Sequence, residues 1–193
     1  MISDAMREKL IVALDYSYVQ EAIGMIHKAR PVVTHYKIGL ELYSSAGGDL
    51  FHYFNDEELD FFVDLKFHDI PNTVAHAVQR IMPHAPNLMT VHALGGEKML
   101  RAASDAKNNH ENGEKTKLVA VTVLTHHSDE ELPLLGMPSS VSDQVKRLAE
   151  IAQKSGVDGV VCSAHEAAVL RDLCGEDFTL VCPGIRPVGA AVN

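Results

Sequence analysis

The chain has 193 residues and a formal charge of −9; 46% of its residues are hydrophobic and 22% charged, an ordinary globular balance that excludes bulk disorder. Its acidic excess, with no dense Lys/Arg run, argues against a binder of nucleic acid or of an anionic membrane surface, since both need a basic footprint. Any anionic ligand must be met by a few well-placed cations.

Seven strands are predicted in chain order, over residues 10–15, 34–39, 60–67, 88–93, 117–125, 159–163 and 179–183. Each is a near-continuous apolar run, as expected of parallel strands covered on both faces. Helical stripes lie between them: Val19, Ala22, Ile23 and Ile26 form the first, and Val145, Leu148, Ala149 and Ala152 another, with Ser142 as its expected N-cap. The longest strongly apolar stretch, residues 118–125, falls far short of the roughly 20 needed to span a bilayer. The N-terminal segment from Met1 to Lys9 precedes no signal-type hydrophobic region, which predicts a cytoplasmic location. Cys162, Cys174 and Cys182 are odd in number and lack metal-ligand spacing, as expected of reduced thiols.

Strict βαβα order predicts a single α/β domain over residues 1–193 with a parallel sheet, either doubly wound or closed into a barrel. The polar residues favour the barrel. Asp15, Lys37, Asp64 with Lys66, His92, Thr125 and Arg186 all fall at or just past the C-terminal end of a predicted strand. A (β/α)₈ barrel delivers functional side chains around that whole rim, whereas an open sheet gathers them at one switch point. The connection 126–140 exceeds the usual length and is either a cover over the rim or a plain surface excursion.

The densest chemistry lies in Asp64-Leu65-Lys66-Phe67-His68-Asp69-Ile70-Pro71-Asn72-Thr73. Residues two apart on a strand share a face, so a carboxylate and an ammonium stand side by side, with Asp69 close behind and Pro71 opening the next helix. A structural ion pair is one explanation; a site is the other, because three charges beside apolar sequence are costly unless they compensate one another or serve a ligand. Among the histidines, His126-His127 begin a loop and are expected in solvent, and His92 either lines the site or sits satisfied in the core. Gly95-Gly96 suggests close helix packing more than anion binding. Cys162 and Cys182 are expected as small apolar residues in buried strands, and the acidic runs at 56–58 and 129–131 as solvated surface.

This segment resembles the signature of the orotidine 5′-phosphate decarboxylase family, in its gamma-proteobacterial wording. The similarity runs from Ile11-Val12-Ala13-Leu14-Asp15 through Lys37-Ile38-Gly39, Val91-His92-Ala93, residues 120–125 and residues 158–163 to Pro183-Gly184-Ile185-Arg186-Pro187. The resemblance implies a TIM (β/α)₈ barrel that converts orotidine 5′-monophosphate to UMP in pyrimidine biosynthesis, with no cofactor and no metal. It implies that Lys66 protonates C6 of the pyrimidine within a charged array of Lys37, Asp64 and Asp69. Asp15 and Lys37 would hold the ribose hydroxyls, Asp64 would lie beside the substrate, Thr125 would contact the base and Arg186 would lie near the phosphate. A homodimer is implied, with Asp69 and Thr73 reaching the site of the other subunit.

The same resemblance leads one to expect an eighth strand and a final helix, which the sequence lacks beyond the seventh strand. A catalytically inactive barrel fragment is therefore one competing expectation. A magnesium-dependent sugar-phosphate decarboxylase of the same superfamily is a second, and an aldolase using Lys66 as a Schiff base a third; its lysine would have to be neutral, while Asp64 and Asp69 favour the charged form.

Overall fold

Apolar runs too short for helices, bounded by polar residues, become strands β1 (Ile11–Ala13), β2 (His35–Ile38), β3 (Asp60–Phe67), β4 (Leu88–His92), β5 (Lys117–Val121), β6 (Gly159–Val161) and β7 (Thr179–Val181). The computed structural model describes residues 3–137 and 140–185. All seven strands are parallel and neighbour one another in chain order from β1 to β7. This is the barrel arrangement expected from the sequence, curled around one axis, and among the described residues no ladder joins β7 to β1. Several strands stop earlier than predicted, β1 at Ala13 and β5 at Val121, although Leu14 and Thr122 just beyond them still donate their N–H groups to Lys37 and Val161 of the neighbouring strands at 3.0 and 3.4 Å.

Helices α1 (Asp4–Arg7), α2 (Val19–Ala29), α3 (Leu40–Ala46), α4 (Asp49–Asp56), α5 (Pro71–Ile81), α6 (Gly96–Asn108), α7 (Val141–Lys154) and α8 (Ala167–Cys174) supply every crossover between successive strands. In α2 the stripe buries Ala22 and Ile26 fully, with Val19 and Ile23 half-buried. In α7, Val145, Leu148, Ala149 and Ala152 are all buried. The N-cap of α7 is Ser140, not the expected Ser142: its extended backbone lets the hydroxyl accept the Asp143 N–H at 3.2 Å and donate to the Asp143 carboxylate at 2.9 Å. Ser140 has an acid three residues later, Asp143, which closes this reciprocal cap, whereas Ser142 has Val145 there.

Two apolar layers result. The larger fills the space between sheet and helices and includes Tyr36, Ile38, Val63, Met89, Val91, Leu118, Ala120 and Val160. The smaller packs Phe62, Leu88 and Val119 against Ile11, Val161 and Val181, side chains from six different strands. These fill the inside of the barrel, so the interior is a packed plug and not a pore.

One polar junction ties the plug's base to the helices. Asp158, just before β6, takes both carboxylate oxygens to the Lys107 ammonium at 3.1 and 2.9 Å and accepts the Leu118 N–H at 2.7 Å. Lys107 keeps only 6% of its side chain in solvent. Asp158→Ala should therefore strand a buried ammonium and lower stability by about 3 kcal/mol, near the bottom of the range for broken buried pairs because Asp158 itself is partly hydrated. Urea unfolding of the two proteins checks this as a shift in midpoint at unchanged slope.

Candidate active site

At the C-terminal ends of β1 to β3, four charged side chains alternate in sign. Asp15 follows β1, Lys37 lies in β2, and Asp64 and Lys66 lie in β3. The Lys66 ammonium stands 2.9 Å from each Asp64 oxygen. Lys37 Nζ is 3.6 Å from Asp64 Oδ2 and 3.1 Å from Asp15 Oδ1. Asp64 is the buried member at 8% exposure, whereas the Asp15 side chain is 62% exposed, so the array runs from solvent into the barrel mouth. Gly39 leaves room for it: a Cβ there would lie 3.0 Å from Lys37 Nζ and 3.3 Å from Asp15 Oδ1.

The sequence correctly brings Asp64 and Lys66 together, but not by simple alternation along a flat strand. The ladder between β3 and β4 pairs Val63 with Met89 and then Phe67 with Val91, so three residues of β3 face one residue of β4. Within this bulge Lys66 adopts φ +51°, a left-handed conformation that costs a residue with a Cβ about 1–2 kcal/mol. The single facing residue is Thr90, which is wholly buried. Its hydroxyl accepts the Lys66 backbone N–H at 2.8 Å and donates to Asp64 Oδ1 at 3.1 Å. Sequence reasoning passed over Thr90, although a lone hydroxyl in the run Leu88-Met89-Thr90-Val91 was its visible sign.

His92, left open between core and site, ends β4 at the rim. Its ring stacks on His68 with centroids 5.2 Å apart, and its Nδ1 accepts the Leu94 N–H at 3.4 Å. Burial, then the neighbouring His68 and Lys66 charges, push its pKa down to about 4. His92 is thus a neutral ring beside the lysine, and its free Nε2 carries the hydrogen.

The other expected residues lie apart from this array within one chain. Asp69 is exposed and accepts its neighbour's N–H, that of Ile70, at 2.6 Å, at the start of α5. Thr73 is exposed on the first turn of α5, and Thr125 is exposed in the turn beyond β5. Arg186 lies outside the described residues. In the connection 126–140, Leu132 is buried within a short 3₁₀ helix, which anchors part of that loop to the body of the protein. The acidic residues there are local caps: Glu131 accepts the Ser128 N–H and Asp129 the Val141 N–H. A Cβ on Gly95 would collide with Met99, four residues on in the helix that Gly95 caps, and Gly96 adopts φ +76°, so the pair answers the local turn into α6 and not close packing against another element. Cys162 is buried as expected, with Cys182 only half-buried beside it at an Sγ–Sγ distance of 3.8 Å. A cleft of about 430 Å³ lined by Lys117, Asp158, Phe178 and Thr179 lies at the opposite, N-terminal ends of the strands, where barrels of this type place stability and not chemistry.

Comparison with known proteins gives this rim its context. Residues 8–193 match the model of the orotidine 5′-phosphate decarboxylase / HUMPS family. The chain belongs to this family. Orotidine 5′-phosphate decarboxylase of Baumannia cicadellinicola is 44% identical over 96% of this chain and 74% of its own length. That of a Nostoc species is 45% identical over 95% of this chain and 78% of its own. Among solved structures, orotidine 5′-phosphate decarboxylase from Lactobacillus acidophilus superposes with a TM-score of 0.84 at 37% identity, covering 92% of this chain and 81% of the other. An uncharacterized conserved protein from Geobacillus kaustophilus also reaches 0.84, at 34% identity and 90% and 82% coverage. The family is one of enzymes, and its curated members matched here, gamma-proteobacterial proteins among them, are named as carboxy-lyases of this kind.

A titration of the histidine ring resonances by NMR should find His92 still neutral at pH 5 and protonating near 4, while an ordinary histidine turns near 6.5. The sign for stability follows. The unfolded chain binds a proton at this site between those values and the folded chain does not, so His92 favours folding above pH 6.5 and progressively loses that contribution as pH falls toward 4.

Proposed function

We propose that the chain decarboxylates orotidine 5′-monophosphate to UMP without a cofactor, Lys66 donating the proton that replaces the carboxylate at C6. The observation that carries this reading is the Lys66 ammonium held by both oxygens of the buried Asp64 at the catalytic rim of the barrel. In the reaction the C6–carboxylate bond breaks, CO₂ leaves, and its electron pair stays on C6. No carbonyl adjacent to C6 can delocalise that pair, so the protein must meet it with fixed charge. Lys66 then transfers a proton from Nζ to C6, becomes a neutral amine, and is recharged from solvent after product leaves.

The same geometry favours one of two sources of catalysis. A substrate carboxylate about 4 Å from Asp64 would be repelled by roughly 4 kcal/mol at an effective dielectric of about 20. Asp64, however, already accepts from Lys66 and Thr90 and faces Lys37 at 3.6 Å, which cancels most of its outward field. Repulsion is therefore the smaller contribution. Stabilisation of the carbanion by Lys66, with remote binding energy holding the ring in place, is the larger.

In this reading Asp15 and Lys37 hold the ribose hydroxyls, Thr125 contacts the base and Arg186 the phosphate. Asp69 and Thr73 complete the array of a second copy in a homodimer. Asp69 and Thr73 are both exposed at the start of α5, as a contribution to a second copy requires. The described residues contain no helix long and apolar enough to cross a membrane, and the proposed site of action is the cytoplasm. The magnesium-dependent alternative is disfavoured by Lys37, whose ammonium occupies the space between Asp15 and Asp64 that a divalent cation would need.

Lys66→Ala should abolish UMP formation, a loss of at least about 10⁴-fold, while UMP binding changes by less than about tenfold. Near-normal turnover by that variant would sink the assignment of Lys66. Excess chelator should leave the rate of the unmodified protein unchanged, and borohydride with substrate should trap no covalent adduct; a chelator-sensitive rate would move the protein to the metal-dependent branch.

A further inference from the structure

We infer that Thr90 is a positioning residue: its side-chain hydroxyl clamps the left-handed backbone of Lys66 and turns the Asp64 carboxylate toward the lysine ammonium. The inference rests on the proposed decarboxylation for its consequence in turnover, but not for the clamp itself.

The hydrogen-bond polarity at Thr90 is fixed by elimination. The Lys66 backbone N–H can only donate, so at 2.8 Å it uses a lone pair of Thr90 Oγ1. The hydroxyl hydrogen remains, and Asp64 Oδ1 at 3.1 Å accepts it. Both bonds are therefore present at once. Thr90 has 0% exposure, so no bulk water can take the place of either.

The backbone leaves this work to the side chain. Thr90 pairs with Val119 of β5 on one side, but on the other the β3 ladder skips from Met89 to Val91. Three residues of β3 are thus looped past a single residue of β4, and the hydroxyl fills the gap in the ladder. Without it, the half-buried Lys66 N–H would lose its hydrogen-bond partner, and Lys66 at φ +51° would lose the bond that opposes its return to an extended conformation. That return would swing the ammonium off Asp64, and Asp64 would lose the donor that sets its plane.

The test compares the 193-residue protein with its Thr90→Val and Thr90→Ser variants. Valine keeps the branched shape and removes both hydrogen bonds; serine keeps the hydroxyl and removes a methyl group. With orotidine 5′-monophosphate as substrate, Thr90→Val should lose about 100-fold in kcat with KM within about threefold, as expected for a small misplacement of a group acting in the transition state. Thr90→Ser should recover most of that loss. Full turnover by Thr90→Val, or equal loss in both variants, overturns the inference, the latter because packing and not the hydroxyl would be responsible. Exchange of the Lys66 backbone amide, read without substrate, supplies an independent readout. It should be slow in the unmodified protein and in Thr90→Ser and faster in Thr90→Val, and rapid exchange in the unmodified protein overturns the clamp whether or not any variant folds. If the unmodified protein makes no UMP, the proposed function fails and amide exchange alone decides the clamp.

Discussion

One buried carboxylate organises the upper end of this barrel. Asp64 is 8% exposed, and an ionised group so placed persists only if its charge and its lone pairs are met. Lys66 from its own strand, Lys37 from β2 and Thr90 from β4 meet them at 2.9, 3.6 and 3.1 Å. Three adjacent strands are thereby pinned at one height, and the Lys66 ammonium is fixed by rigid elements instead of a loop. Beneath them the plug of Phe62, Leu88 and Val119 keeps the floor dry, which strengthens every electrostatic interaction above it.

His92 matters to this arrangement because of the charge it lacks. A protonated ring stacked on His68 next to Lys66 would add a second cation that repels the ammonium and competes for Asp64. Burial depresses its pKa to about 4 and removes that competitor at neutral pH. Positive charge beside Asp64 is then carried by the Lys66 and Lys37 ammoniums and not by the imidazole. The two lysines differ likewise by exposure and partner: Lys37, bridging Asp15 and Asp64, is tied at both sides, whereas Lys66, among the described residues, is paired with Asp64.

Much of this was legible in the sequence for physical reasons. Seven apolar runs separated by helical stripes can satisfy their backbone groups and bury both faces only as a parallel sheet wrapped in helices, and the observed order β1 to β7 follows from that economy of short connections. Asp15, Lys37, Asp64 and Lys66 were visible as charges that interrupt apolar strands near their ends. Strand ends were less legible: the run through Thr125 continues the β-prone pattern of β5, yet the ladder stops at Val121 because the chain must leave the barrel there. The cap of α7 was expected at Ser142, two residues too late, because only the reciprocal bonding to Asp143 singles out Ser140. Asp69 and Thr73 sit on the rim without joining the array of their own chain, and composition or periodicity carries no information about a neighbouring copy.

The bulge in β3 was the feature least available to sequence reasoning, and its geometry explains why it is needed. Residues two apart on a flat strand stand about 6.6 Å from each other and project in parallel. A lysine beside an aspartate in that arrangement extends past the shorter carboxylate, so its ammonium overshoots into the barrel mouth. Turning the Lys66 backbone to φ +51° redirects the side chain back over Asp64, where Nζ reaches both oxygens at 2.9 Å. A glycine would adopt that backbone without strain but would carry no amine. The strain is therefore the direct consequence of asking one residue to supply both an unusual backbone direction and an ammonium beside Asp64, and the surrounding hydrogen bonds of Thr90 and Asp64 are what make that combination stable.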